Sequence, residues 1–225
     1  MNLPWRGGRQ IALAILGVSV ACQVARGAEA SKVMGSIEVA AGEHAGDVST
    51  VNGSIHVHEN AVVGTAHAVN GSISLEARAS AAELTSVNGS IELAPQVKVS
   101  GKVQTVNGKL SLADGAEVGG SLVNVNGAIH VAAAHVGGGI ETVSGGVELG
   151  PSAHIDGGIH VRKPGGFFNS LGLEDVPRII IGPGSVVGGT LEFERTVKLY
   201  VSDEAKIGAV QGATAVKYSG ERPPE

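Results

Sequence analysis

The tripeptide Val-Asn-Gly begins at Val51, Val69, Val87, Val106 and Val125, and Val143-Ser144-Gly145 is a sixth variant, so the spacings are 18, 18, 19, 19 and 18 residues. A period of this kind means that one small unit is repeated and that each copy buries its apolar side against the next. Beyond each glycine comes an apolar-polar-apolar triplet: Ile55-His56-Val57, Ile73-Ser74-Leu75, Ile91-Glu92-Leu93, Leu110-Ser111-Leu112, Ile129-His130-Val131 and Val147-Glu148-Leu149. Ile37-Glu38-Val39 and Ile159-His160-Val161 extend the set at its two ends. Strict alternation turns one side of a strand inward, and three residues is the length of one solenoid face.

An apolar or small residue also recurs every six positions, as in Val33, Val39, Ala45, Val51, Val57, Val63, Val69 and Leu75. Eighteen is three sixes. The expected fold is therefore all-β, a single-stranded β-solenoid with three short faces per turn of 18–19 residues, and insertions near residues 100–106 and 119–125 account for the longer spacings. Asn followed by Gly suits a corner that needs positive φ. Asn52, Asn70, Asn88, Asn107 and Asn126 then stack about 4.8 Å apart as a structural ladder of side-chain amides. A bore this narrow takes Val, Ile and Leu but not large rings, which explains why no aromatic residue occurs between positions 31 and 166.

The flanks read differently. Arg6 and Arg9 precede an apolar run from Ile11 to Ala21, and Ala28-Glu29-Ala30 supplies small residues for cleavage. This predicts a secretory signal peptide over residues 1–30 and an exported, periplasmic or extracellular chain. The run is about half the roughly twenty residues that a spanning helix needs, so no transmembrane segment is expected. The only cysteine, Cys22, stands where a lipoprotein carries its anchor, but Ser19 replaces the aliphatic residue that a lipidation signal wants, so anchoring there is not expected. Residues 31–161 form the regular solenoid, and 162–178 an excursion in which Phe167 and Phe168 are either a cap or an interaction patch. Residues 179–218 form irregular closing turns and a cap, and 219–225 a loose tail.

Cleavage takes the net charge from −5 to −7, which leaves no basic face for phosphates and excludes nucleic acid as a partner. No phosphate loop, nucleophile elbow or HExxH motif occurs, so no catalytic residue and no cofactor is expected. The outward middle positions of the triplets form a polar column, and His130, Glu148 and His160 are its weak candidates for a metal site, on three successive turns. Ligands in a straight column do not converge on one ion, so no metal site is assigned. The N-terminal edge from Val33 to Val39 has almost nothing to cover it, whereas the excursion and the charged stretch Glu192 to Arg195 cover the other end. An open edge invites another strand, so the expected partner is a second copy, paired through the N-terminal turns, or an envelope component.

The unit Val-Asn-Gly-Ser-Ile-x-Val, with Thr or Ser ahead of it in Thr50-Val51, Ser86-Val87, Thr105-Val106 and Thr142-Val143, resembles the bacterial β-strand-repeat adhesins. Ala116-Glu117-Val118-Gly119-Gly120 and Ala153-His154-Ile155-Asp156-Gly157-Gly158-Ile159 resemble bactofilins, whose β-helices polymerise end to end. The resemblance covers about residues 33–161, and more weakly 179–210. It implies a right-handed helix and a non-enzymatic structural, adhesive or self-assembling role in the cell envelope, and it carries over no catalytic residue. The alternative is a hexapeptide-repeat enzyme of the left-handed β-helix type, an acyltransferase or carbonic anhydrase, for which His130 and His135 are the candidate histidines.

Overall fold

A computed structural model describes residues 12–13, 22–23, 29–164, 176–220 and 222–223. Every regular element among them is a strand, and every strand pairs in parallel with its counterpart one turn away. The chain is a β-solenoid of about ten turns. One face holds the triplets, from Ile37–Val39 through Ile91–Leu93 and Val147–Leu149 to Arg178–Ile181 and Ala215–Tyr218. The second runs through Lys98–Val99, Glu117–Val118, His135–Val136 and His154–Ile155. The third runs through Val103–Asn107, Leu122–Asn126, Ile140–Thr142 and Ile159–Val161. In Val62–Asn70 and Ser80–Asn88 the second and third faces join into single nine-residue strands.

The six-residue count misplaces the inward residues of the third face. Val51 is 39% exposed and Val69 half-buried, while Thr50, Ser86, Thr105 and Thr142 point inward and are buried. The reason is hydrogen bonding. The Thr50 hydroxyl donates to the carbonyl of Gly35 at 3.2 Å, Ser86 to Gly71 at 3.1 Å and Thr105 to Gly89 at 2.9 Å. Each hydroxyl thus satisfies the corner carbonyl of the turn before it, a group that burial would otherwise leave costly and unpaired.

The corners also differ from the expectation. Positive φ belongs not to the Asn-Gly corners in general but to the corner after the triplet, where Gly42, Asn60, Arg78, Gln96, Gly115, Ser152 and Gly184 occupy one column with φ between 57° and 70°. At the Asn-Gly corner the glycine is required by close approach: a Cβ on Gly71 would overlap the carbonyl oxygen of Gly53, and one on Gly89 that of Gly71. The expected insertions both fall at one corner, between the second and third faces. Inward residues flanking the corner between the second and third faces are three positions apart at Val63 and Ala66 and at Ala81 and Leu84, but four apart from Val99 and Val103 through Val187 and Leu191. The longer corner appears at residues 100–102 and 119–121 and persists in the next three turns, and the 18-residue step from Val125 to Val143 arises because the corner between Val131 and Val136 is one residue shorter.

The excursion leaves the stack after Val161 and rejoins it at Arg178, with two further turns beyond it, so its roots stand at the side of the solenoid rather than at the end. Phe167 and Phe168 lie outside the described residues. At the other end, Ala12–Leu13 pairs with Ala30–Ser31 and Cys22–Gln23 with Ile37–Glu38, so in the full chain the edge expected to be bare is paired.

Two substitutions separate the two corner types. Gly89→Ala forces a Cβ into backbone and is expected to cost at least about 2 kcal/mol. Gln96→Gly relieves a left-handed side-chain-bearing residue and is expected to be neutral or stabilising by up to about 1 kcal/mol. Urea denaturation of both variants checks the contrast.

Candidate functional site: the outer columns and the open end

Parallel pairing at constant rise places each side chain on its own homologue. Asn70 Nδ2 donates to Asn52 Oδ1 at 3.0 Å, Asn88 to Asn70 at 2.9 Å, Asn107 to Asn88 at 2.9 Å and Asn126 to Asn107 at 3.1 Å. Beside this amide ladder runs a second one. The hydroxyls of Ser36, Ser54, Ser72 and Ser90 each accept the backbone N–H of the homologous residue one turn on, at 3.2–3.3 Å. The ladders use the polar groups of the repeat on the repeat itself, and the Asn residues are thereby structural.

Asn124 departs from the interior pattern. It stands in the Thr/Ser column, where its Nδ2 donates to the carbonyls of both Gly108 and Gly127 at 2.9 Å. Its Oδ1 is buried with no hydrogen-bond partner. A threonine there keeps the bond to Gly108 and removes the orphan acceptor, giving up the second bond to Gly127. Asn124→Thr is therefore expected to stabilise by about 1 kcal/mol, read as a rise in thermal midpoint.

The histidines of the triplet column separate. His130 faces Glu148, with Nδ1 3.3 Å from Oε2. The register then takes Glu148 to Ile180, not to His160. His160 is on the third face, beside Glu141 and Glu192, and its Nε2 lies 3.0 Å from Glu194 Oε1. Ile-His-Val reads identically on either face, which is why spacing alone misassigned it. His130, Glu148 and His160 do not form one site. His130 and His135 also occupy different faces. The structure instead brings together His135, His154 and Asp156, which the sequence reading passed over. The available signal was the 19-residue step from His135 to His154.

Glu194 fastens the root of the excursion. Its carboxylate accepts the Lys163 backbone N–H at 2.9 Å and the His160 ring N–H at 3.0 Å. These bonds, that of Lys163 first, hold its carboxyl below the ordinary carboxylate value of 4.5. A depressed carboxyl contributes stability above its unfolded pKa and loses it as the pH falls through the folded one. The melting temperature of the native protein is thus expected to fall more than that of Glu194→Gln when the pH drops from neutral to below 4.5. Equal falls would remove Glu194 from the acid response.

The last turn is open. Ile207, Val210, Ala213 and Ala215 stand at the end of the core and are only half-buried, and Val216 is 49% exposed. Tyr218 is the exception. It is buried, its hydroxyl donates to the Ile181 carbonyl at 3.2 Å, and that burial, reinforced by the Glu148 charge, pushes the phenol pKa up. No helix among the described residues is long and apolar enough to cross a membrane. No family model, curated protein or solved structure matches the chain.

Proposed function

We propose that the chain is an exported, non-enzymatic β-solenoid with a structural, adhesive or self-assembling role in the bacterial cell envelope. The observation that carries this reading is the last turn. Its strand edges and its half-buried Ile207, Val210 and Ala215 are what the core of one more turn would cover. An open strand edge backed by apolar surface templates another strand. Removal of residues 1–30 would expose the opposite end as well, because Ala12–Leu13 and Cys22–Gln23 pair there in the full chain. Two self-complementary ends support association of copies, head to head through the N-terminal turns or head to tail along the axis. The outer columns fit the same reading, since their polar groups pair with one another along the wall.

Light scattering on residues 31–225 is expected to give a mass above that of the monomer. Val33→Pro with Ile37→Pro breaks the N-terminal edge, and Val210→Asp with Ala215→Asp charges the C-terminal one. At least one pair should restore the monomer. A native protein that stays monomeric at every concentration removes self-assembly from the reading.

A further inference from the structure

We propose that His135, His154 and Asp156 form a binding site for a divalent transition-metal ion on the outer wall of the solenoid. His135 and His154 are direct partners in the ladder of the second face. Their rings are 5.3 Å apart between centroids and tilted by 56°, so they are not stacked face to face. Both present Nε2 to the same carboxylate: His135 lies 3.1 Å from Asp156 Oδ2, and His154 lies 3.0 Å from Oδ1. Asp156 follows His154 by two residues and stands in the corner, where its outward side chain reaches back to the preceding turn.

The corner supplies the room. Asp156 shares its column with Gly137 on one side and Gly188 on the other, so no neighbouring side chain covers the carboxylate. His135 and His154 hold the outward positions of their strands, and all three groups are exposed to solvent. Among the described residues this is the one group of three such side chains whose ligating atoms lie within 4.8 Å of one another. The other outward histidines pair differently: His58 faces two carboxylates, Glu38 and Glu76, and His130 faces one, Glu148.

Donor type and spacing agree. Two imidazoles and a carboxylate suit Zn²⁺, Cu²⁺ or Ni²⁺ rather than the oxygen-seeking Mg²⁺ or Ca²⁺. Metal–ligand bonds of about 2.0–2.2 Å put tetrahedral ligand atoms about 3.3 Å apart. The two N···O separations are already close to that, and closing the N···N side needs only a swing of one exposed imidazole. Binding would move each Nε2 proton to Nδ1 or to solvent, because a ligating nitrogen must offer its lone pair. Three protein ligands leave the remaining positions to water. Glu117 is the next residue in the column, but Lys98 pairs with it at 3.1 Å, so it is not counted among the ligands.

The test is a calorimetric titration of the full chain, without a polyhistidine tag, with Zn²⁺ alone, alongside His154→Gln, Asp156→Asn and the control His130→Gln. All three positions lie on the outer wall, and circular dichroism verifies that the variants fold. One Zn²⁺ per chain is expected, with binding at least about tenfold weaker in either site variant and unchanged in the control. Substoichiometric Cu²⁺ should broaden the imidazole resonances of His135 and His154 first. Affinity unchanged in both site variants, or broadening spread evenly over the histidines as adventitious binding would give, overturns the site.

Discussion

The parallel backbone ladder, repeated at a fixed rise around three faces, is the interaction on which everything else rests. It forces every residue to lie on its counterpart from the next turn, so each position is chosen for how well it stacks on a near copy of itself. Asparagine answers with a side-chain amide that is donor and acceptor at once, serine with an oxygen that takes the next N–H, glycine by offering no Cβ at all. Charged positions answer by alternating. Glu59 meets Arg78, Glu83 meets Lys102, Lys98 meets Glu117 and Glu141 meets Arg162, each pair joining neighbouring turns. Such exposed pairs add little individually, about 0–1 kcal/mol. Their larger effect is to avoid a column of like charge.

The same constraint decides what the sequence reveals. The triplet face is legible throughout, because Ile91 and Leu93 are apolar and inward while Glu92 is polar and outward, and nothing competes with that alternation. The third face is not, because Thr50 and Ser86 are inside for the sake of a backbone carbonyl while the more apolar Val51 and Val87 stay nearer the surface. Hydropathy and hydrogen-bond demand oppose each other there, and the second prevails. His160 was misassigned for a related reason, since two faces carry the same short pattern and the intervening excursion removes the count that would tell them apart. The grouping of His135 with His154 and Asp156 needs the size of the corner, which composition does not disclose.

The two ends show how a repeat stops. At the N-terminal end, position 32 in the column of inward Thr and Ser is a lysine, whose Nζ donates to the Ser36 carbonyl at 2.7 Å. A cation in that column breaks the run of inward Thr and Ser. At the far end Tyr218 turns its ring into the protein, its hydroxyl reaching the Ile181 carbonyl two turns back, while Val210 and Ala215 stay half-buried. Among the described residues, single side chains mark both ends of the repeat.

The enlarged corner divides the solenoid into two gauges. The inward residues of the second and third faces lie three positions apart in turns before Val99 and again at Ile207 and Val210, and four apart in the turns from Val99 through Leu191. Where the two kinds meet, at residues 81–84 against 99–103 and at 187–191 against 207–210, the ladders on both sides of the corner stay paired, so the difference is absorbed within the corner itself. A corner of this fold can therefore gain or lose a residue without disturbing the faces it joins, and length variation collects at corners while the ladders hold their register.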